Sequence, residues 1–257
     1  MGHDVDAVAR RLRADIERGD NFPAWLDGLL DLDAALAVQV RLLADDQRAG
    51  RGLSGWKVGL TSERARRALG SDTRPFGYLL ADHTFGSGVE VEAAAIRAGT
   101  IEPEFLFTVG DRLASPDLTP AQVRAGIERV AAGYELNERR AGSARPDLAM
   151  MATDRMTQWG IVEGDGVDPA AVSVGLDEVR VRVTCDGVER LAVRSGDEVD
   201  DHWSSIARLV AELHRFGLAL EPGQKVITGG LGRFDLAPGQ RWRAEFDGVG
   251  AVEVAVR

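Results

Sequence analysis

Cysteine is nearly absent from this 257-residue sequence, which contains only Cys185. A single thiol cannot form a disulfide within the chain, and it cannot supply a cysteine-rich zinc site. Disulfide-stabilised secreted domains are therefore excluded, and we expect a reducing, cytoplasmic location. A chain of this length also needs no cross-links, because it can bury roughly three quarters of its unfolded surface.

Long apolar runs and an excess of positive charge are missing as well. No stretch approaches the roughly 18 apolar residues typical of a membrane span, and the first twenty residues lack a signal-peptide core. The net charge is −10, from 31 Lys and Arg against 41 Asp and Glu. We therefore expect neither a membrane nor nucleic acid as a partner, since nucleic-acid binding depends on phosphate neutralisation. A small anionic substrate is compatible with this charge if local cations hold it.

Two common enzyme motifs are also lacking. No G-x-S-x-G occurs, and the sequence fixes no partner for any of the four histidines, so a Ser/His/Asp hydrolase is poorly supported. The segment "ITGGLGRF" fits neither a Walker A pattern nor G-x-G-x-x-G, which argues against a nucleotide site. Its glycines, which follow Thr228, favour a tight bend or the close approach of a ligand.

What is present predicts an α+β fold. Helical spacing covers "DVDAVARRLRADIERG" and "DLDAALAVQVRLLADDQRAG", and a short helix in "SERARRALG" should end at Gly70. From residue 75 short apolar runs alternate with turn residues and predict strands, and the pairs Asp186-Gly187 and Asp247-Gly248 predict hairpins. Two helices interrupt these strands, one from Thr119 to Gly133 and one in "WSSIARLVAELHRFG". We predict a helical region over 1–74, which includes a strand with Lys57, and a β-rich domain over 75–257.

The segment "TIEPEFLFTVG" places two carboxylates in an apolar strand. Residues i and i+2 of a strand share a face and lie roughly 6.5–7 Å apart, so Glu102 and Glu104 should project together. Either this is an edge strand with a solvated acidic face, or the two charges are compensated by a proton, by Arg or Lys, or by a divalent cation. Glu135, which follows in "AAGYELNERR", adds a third carboxylate from the next strand. Three carboxylates suit a hard cation such as Mg²⁺ or Mn²⁺.

Three other charged positions have both a structural and a functional interpretation. Lys57 in "SGWKVGLTSE" either extends from an edge strand to solvent or neutralises an anionic substrate or enolate in a cleft. Asp82 in "LLADHTF" is either a turn residue or a base. Arg140 either binds a carboxylate or forms surface ion pairs.

Several segments occur in one order along most of the chain: "GWKVGLTSERARRALGSDTRPFGYLLAD", "IEPEFLF", "YELNERR", "TDRMTQWGIVEG" and "PGQKVITGGLG". This series resembles the 2-keto-4-pentenoate hydratase / 4-oxalocrotonate decarboxylase family of the fumarylacetoacetate hydrolase superfamily. Its most specific part is K-x-G-L-T-S followed by I-E-x-E. The resemblance implies a helical N-terminal region followed by a β-rich roll of mixed sheets.

The resemblance also implies roles for individual residues. It assigns the metal to Glu102, Glu104 and Glu135, the active-site lysine to Lys57, and an acid in the pocket to Asp82. Three further positions would border the substrate or follow the third ligand: Thr228, Gly229 and Arg140. The chain has Asp154-Arg155-Met156-Thr157 where the family usually has Asp-Asn-Ala-Ser, and Asp200-Asp201-His202-Trp203-Ser204 where Gly-His-Pro-Leu-Asn is usual. If these segments lie near the pocket, Arg155, Thr157 and Trp203 contact the substrate and reshape its site.

The implied activity is that of a lyase acting on a 2-oxo or 2-hydroxy-enoic acid through a metal-chelated enolate. Hydration to a 4-hydroxy-2-oxo acid is the first hypothesis, and decarboxylation of a 4-oxalocrotonate-like acid is the second. An acylpyruvate hydrolase or tautomerase, and an inactive metal-binding relative, are further alternatives. The implied partners are a small anionic 2-oxo acid and, in a homo-oligomer, other copies of the chain.

Overall fold

The computed structural model describes residues 4–69 and 74–257, and the predicted helix end at Gly70 lies outside them. Two mixed sheets form the centre of the molecule, and helices cover them. The helices of the described part are α1 Val5–Glu17, α2 Leu32–Arg48, α3 Glu63–Leu69, α4 Pro120–Ala125, α5 Leu148–Thr153 and α6 His202–Arg215. Its strands are β1 Leu53–Val58, β2 Phe76–Leu80, β3 Thr84–Gly86, β4 Val89–Val91, β5 Thr100–Val109, β6 Ile127–Asn137, β7 Gln158–Val167, β8 Arg180–Cys185, β9 Val188–Arg194, β10 Lys225–Ile227, β11 Phe234–Asp235, β12 Arg241–Phe246 and β13 Gly250–Val256.

The larger sheet carries the acidic strand at its centre. Its order is β2-β1-β10-β5-β6-β7-β3, and β11 adds to β5. The smaller sheet has the order β4-β13-β12-β8-β9. Because β1 pairs with both β10 and β2, the strand that carries Lys57 belongs to the same sheet as strands from the rest of the chain. The division at residue 74 stays a prediction.

Side-chain caps and apolar faces explain the N-terminal helices. The carboxylate of Asp4 accepts a hydrogen bond from the amide of Ala7 and begins α1, and Asp31 does the same for Ala34 and α2. Helix α2 buries Leu36 and Leu43, and it packs against α1 and α5. Burying each such leucine is worth about 1.5–3 kcal/mol, which anchors this helical layer. Among the described residues, no helix combines the length and the apolar character that crossing a bilayer requires.

The predicted α+β class and both hairpins are confirmed. Asp186-Gly187 joins β8 to β9, and Asp247-Gly248 joins β12 to β13, in both cases with antiparallel pairing. The predicted helix from Thr119 to Gly133 is wrong in its second half. Helix α4 ends at Ala125, and the chain from Ile127 onward is an 11-residue strand. Pairing with β5 on one side and β7 on the other outweighs the helical spacing of these residues.

Candidate metal centre

Three carboxylates meet at the centre of the larger sheet. In the antiparallel pair of β5 and β6, Glu102 lies directly opposite Glu135, and Glu104 lies two residues further along the same face. Each of the three can place one carboxylate oxygen within 4.8 Å of those of the other two. Ile101, Phe105 and other apolar neighbours of β5 are fully buried and hold the strand in the core. The structure thus brings together the three acids that alternation along the strands predicts.

Burial makes this cluster of like charges unfavourable on its own. Glu104 and Glu135 are each only 2% exposed. Burial, followed by the charges of Glu135 and Glu102, raises the pKa of Glu104 well above its usual value. Burial and the charge of Glu135 also raise the pKa of Glu102. A divalent cation between the three oxygens would hold all of them ionised, and hard oxygen ligands are those that Mg²⁺ and Mn²⁺ prefer.

Neutral and cationic groups orient the carboxylates. The side-chain amide of Asn137 donates to Glu102 and to Glu135, at 3.0 Å in both cases. The backbone amide of Gly229 donates to Oε2 of Glu104 at 2.7 Å. Nε of Arg233 lies 3.0 Å from Oε1 of Glu102. The residue spacing did not reveal Asn137 or Arg233, although Asn137 repeats the alternation that places Glu135 on this face.

Lys57 faces the acids from strand β1. Its Nζ lies 2.6 Å from Oε1 of Glu135, an ion pair whose angles are not those of a hydrogen bond. Nζ also donates to the backbone carbonyl of Met156 at 3.4 Å. Lys57 is 8% exposed and therefore does not extend into solvent. The interpretation as a solvent-exposed edge-strand lysine is wrong, because β1 has a neighbouring strand on each side.

The acids and Lys57 line a cavity of about 490 Å³, which we call the metal-site cavity. Of the residues predicted to contact substrate, Thr157 and Gly229 line it. Arg64 and Arg233 also reach it, where they pair with Glu198 at 2.6 Å and with Glu102 at 3.0 Å. A cavity of this size with four carboxylates, three cationic side chains and three hydroxyls can hold a cation together with a small organic anion.

The structure corrects five predicted contacts in this cavity, of which Thr228 is described below, and Asp82 is the first of the other four. Asp82 lies in a short 3₁₀ turn, its side chain is 47% exposed, and it pairs with Arg51 at 2.9 Å. It is not among the described residues that line the metal-site cavity. The apolar run before Asp82 forms strand β2, and the turn that follows points the carboxylate to the surface.

The other three corrections concern bulky residues. Arg140 pairs with Asp154 and with Glu138, and Arg155 lies over the ring of Tyr78, so both line a different cavity. Trp203, the second residue of α6, packs edge-on against Phe107, with the ring centroids 5.2 Å apart. The cavity that Trp203 lines also includes Arg124, and none of the three glutamates of the metal-site cavity lines it. Side-chain direction at these sites depends on turns and caps that spacing along the chain does not reveal.

Thr228 lies behind the metal-site cavity in a hydrogen-bonded chain that the sequence did not predict. It is fully buried, and its hydroxyl lies 2.6 Å from Nδ1 of His202. Nε2 of His202 lies 2.7 Å from the hydroxyl of Ser195. Burial lowers the pKa of His202 to about 4, so the ring is neutral near pH 7. Because Gly229 follows Thr228 and donates to Glu104, His202 fixes the strand end that orients one candidate ligand.

A strained turn forms one wall of the cavity. Arg155, Met156 and Thr157 have φ values of 56°, 55° and 64°, which is the left-handed region, although none of them is glycine. Three consecutive residues of this kind are unfavourable by roughly 1–2 kcal/mol each. Such strain is typical of functional sites, where surrounding contacts hold the backbone. Here the turn presents the Met156 carbonyl to Lys57 and the Thr157 side chain to the metal-site cavity.

Known proteins resemble this chain over nearly its full length. No family model matches the chain. The 2-keto-4-pentenoate hydratase 1 of Dechloromonas aromatica is 28% identical in an alignment that covers 96% of this chain and 95% of the relative. A 4-oxalocrotonate decarboxylase of a Pseudomonas species is 26% identical, with 96% of each chain covered. The resemblance to hydratases and decarboxylases of this kind thus extends over nearly the full length and is confirmed.

Solved structures confirm the fold. The 4-oxalocrotonate decarboxylase from Pseudomonas putida G7, complexed with magnesium and adipate, superposes with a TM-score of 0.88 at 20% identity and covers 98% of this chain and 97% of its own. The fumarylpyruvate hydrolase from Pseudomonas aeruginosa, in complex with Mn²⁺ and pyruvate, gives a TM-score of 0.60 at 20% identity. It covers 80% of this chain and 88% of its own. The β-rich roll of the fumarylacetoacetate hydrolase type is the architecture that these proteins share.

Proposed function

We propose that this relative of the 2-keto-4-pentenoate hydratases is a divalent-cation-dependent lyase of 2-oxo-enoic acids. Its reaction is the addition of water to a 2-hydroxy-2,4-dienoic acid, which gives a 4-hydroxy-2-oxo acid. The observation that carries the proposal is the convergence of Glu102, Glu104, Glu135 and Lys57 in one cavity. The hydratases among the relatives cover nearly the whole chain.

The three carboxylates are the proposed ligands of the cation, and Mg²⁺ or Mn²⁺ fits them. The supporting observation is the buried cluster of like charge, which is unfavourable unless protons or a cation compensate it. A divalent cation held by Glu102, Glu104 and Glu135 would supply Lewis-acid chemistry that favours enolisation of a 2-oxo acid.

The side chains of the cavity have separate tasks in this proposal. Lys57 places its ammonium beside the position where negative charge develops, and such preorganised charge stabilises the transition state. Arg64 and Arg233 attract the anionic substrate to the cavity. The hydroxyl of Thr157 and the backbone at Gly229 form the wall against which the substrate lies. Asp82, which pairs with Arg51 at the surface, has no part in the proposed chemistry.

Decarboxylation is the second candidate reaction. It uses the same cavity, because loss of CO₂ from a vinylogous β-keto acid produces the same kind of enolate. The observation that favours it is the 26% identity to a 4-oxalocrotonate decarboxylase, which covers 96% of both chains. Hydratases of Dechloromonas aromatica and Pseudomonas putida, at 28% identity, make hydration the first choice.

The test uses the full chain with Mg²⁺ and two substrates. Loss of the ultraviolet absorbance of 2-hydroxypenta-2,4-dienoate, with formation of 4-hydroxy-2-oxopentanoate, is the expected result. Release of CO₂ from 4-oxalocrotonate measures the second reaction on the same preparation. Glu104→Gln should abolish the main activity, whereas Glu253→Gln, at an exposed site, should retain it. A wild-type protein that turns over neither substrate with Mg²⁺ or Mn²⁺ would contradict the proposal.

The proposal also includes a cytoplasmic location and a homo-oligomer. The buried, unpaired thiol of Cys185 is compatible with a reducing compartment. Light scattering of the purified chain tests the oligomer, for which a mass above 27.6 kDa is the expected result.

A further inference from the structure

A second cavity, of about 230 Å³, lies on the other side of the strained turn. Asp154 and Arg155 line this second cavity, whereas Met156 and Thr157 line the metal-site cavity. The two cavities share no lining residue within the described part of the chain. The left-handed turn therefore separates two distinct sites and sends Arg155 into the second one.

Most charges of the second cavity are paired with each other. Arg13 lies 3.0 Å from Asp46, and Arg140 pairs with Asp154 and with Glu138. Arg51 pairs with the surface carboxylate of Asp82. These arginines are therefore already compensated by carboxylates of the chain.

Arg155 is the exception. Its guanidinium forms no hydrogen bond or ion pair with residues 4–69 and 74–257, and its Nη1 is buried. Its guanidinium lies 5.2 Å from the centre of the Tyr78 ring, which offers only a cation–π contact. Burial and the charge of Arg140 lower the pKa of Arg155, and the more weakly acting charges of Asp154 and Asp46 oppose this without contacting the guanidinium. An arginine does not lose its proton in a protein. A partly buried cation without an ion-pair partner is unfavourable, and an external anion would compensate it.

The walls of the second cavity indicate what kind of anion fits. A guanidinium presents a planar fork of donors that matches a carboxylate or phosphate in two-point contact. Tyr78 and Trp159 add aromatic surface, and Trp159 lies with its ring centre 4.4 Å from that of His83. A volume of about 230 Å³ corresponds to roughly seven waters, which is the size of a small organic acid.

We propose that the second cavity binds a small oxyanion, the carboxylate of an organic acid or a phosphate, on the guanidinium of Arg155. This site is separate from the metal-site cavity and does not depend on the proposed lyase activity. Occupancy compensates the one charge of the cavity that the described residues leave without a partner. It also holds Arg155, the first residue of the strained turn, in place.

Thermal unfolding of the full chain tests the site directly. The melts contain a metal chelator, so that no anion can bind through a cation in the metal-site cavity. Sodium acetate and inorganic phosphate are the two probes, and sodium chloride of equal ionic strength is the reference. At ten times the dissociation constant, a specific anion should raise the midpoint by about 4 °C. A rise with acetate alone identifies an organic carboxylate, and a rise with phosphate alone identifies a phosphate.

Arg155→Met should remove this rise, and Arg155→Lys should retain a smaller one because it keeps the charge and loses the fork. Arg64→Met is the matched control, since Arg64 lines the metal-site cavity, and it should retain the full rise. If Arg155→Met does not fold, a crystal of the wild-type protein grown with phosphate gives the answer by the position of the bound anion. No rise above chloride, a rise that Arg155→Met retains, or a rise that Arg64→Met loses would each overturn the proposal, as would phosphate found only outside the second cavity.

Discussion

Lys57 and Glu135 form an ion pair inside the metal-site cavity, with Nζ of the lysine 2.6 Å from Oε1 of the glutamate. Both side chains are buried. The lysine thus compensates part of the acidic cluster by contacting an oxygen that a cation would also need. The pair links the two components of the proposed chemistry, since a group that stabilises the enolate also contacts a candidate metal ligand.

Replacing Lys57 by methionine should lower kcat by about 10²–10³, the usual effect of removing one preorganised charge donor. KM should stay within a few-fold, because the interaction is stronger in the transition state than with bound substrate. The affinity for Mg²⁺ should rise, because Glu135 loses the partner that competes with the cation. Steady-state kinetics and isothermal titration measure the two effects.

Lys225→Met is the matched control for this variant. Lys225 is also partly buried in the larger sheet and paired with a glutamate, Glu163, but it does not line the metal-site cavity. The variant Lys225→Met should leave kcat and the Mg²⁺ affinity nearly unchanged. An unchanged kcat in Lys57→Met would remove this lysine from the mechanism, and a raised KM alone would restrict it to binding the substrate carboxylate.

The acidic cluster should affect the free energy of unfolding even when no substrate is present. With Mg²⁺ at one hundred times its dissociation constant, the wild-type chain should gain about 2.7 kcal/mol in the free energy of unfolding. Glu104→Gln should lose this gain, and in chelator it should be more stable than the wild type, since one buried like charge is gone. The exposed variant Glu253→Gln should behave as the wild type in both melts.

The same cluster predicts how cation binding depends on pH. The pKa of Glu104 is higher in the folded chain than in the unfolded chain. Its protonated carboxyl therefore stabilises the fold at pH values below the unfolded pKa, and this stabilisation is lost as pH rises through the folded pKa. Protons and the cation compete for these oxygens, and the Mg²⁺ affinity should therefore increase with pH. A titration series that shows a constant affinity across the acidic range would contradict the cluster as the binding site.

His202 should make the folded chain sensitive to acid. In the folded chain its pKa is about 4, below the model-peptide value of about 6.5. The stability that the neutral, buried ring contributes is therefore complete above pH 6.5 and is lost as pH falls toward 4. Between pH 7.5 and pH 5 this lowers the free energy of unfolding by about 2 kcal/mol. Urea unfolding should show that His202→Gln lacks this component, whereas His214→Gln, at an exposed site, retains it. Equal pH dependence in wild type and His202→Gln would show that the ring is not buried as a neutral base.

The pairing of Glu102 with Glu104 could be predicted from the sequence because strands repeat every two residues, whereas the spacing left Lys57 open between solvent and a cleft. Glu102 and Glu104 had to share a face, and their neighbours had to be buried on the other. Asp82, Arg140, Arg155 and Trp203 could not be placed, since turns, caps and ion pairs decide where these side chains point. The turn at Arg155–Thr157 is the clearest example, because three residues adopt the left-handed conformation and no glycine in the sequence indicates it.

Thr157, the last residue of that turn, allows a test of whether this wall of the metal-site cavity contacts the substrate. Its hydroxyl lines the metal-site cavity, so it can donate a hydrogen bond to an anionic substrate. A hydrogen bond to a charged group contributes about 1.5–3 kcal/mol, and Thr157→Val, which keeps the shape of the side chain, should lower kcat/KM by about ten-fold or more. Thr157→Ser keeps the hydroxyl and should stay near the wild type, as should Thr184→Val, which lies on β8 outside the cavity. If Thr157→Val retains the wild-type kcat/KM, the hydroxyl does not contact the substrate, and the turn serves only to present the Met156 carbonyl to Lys57.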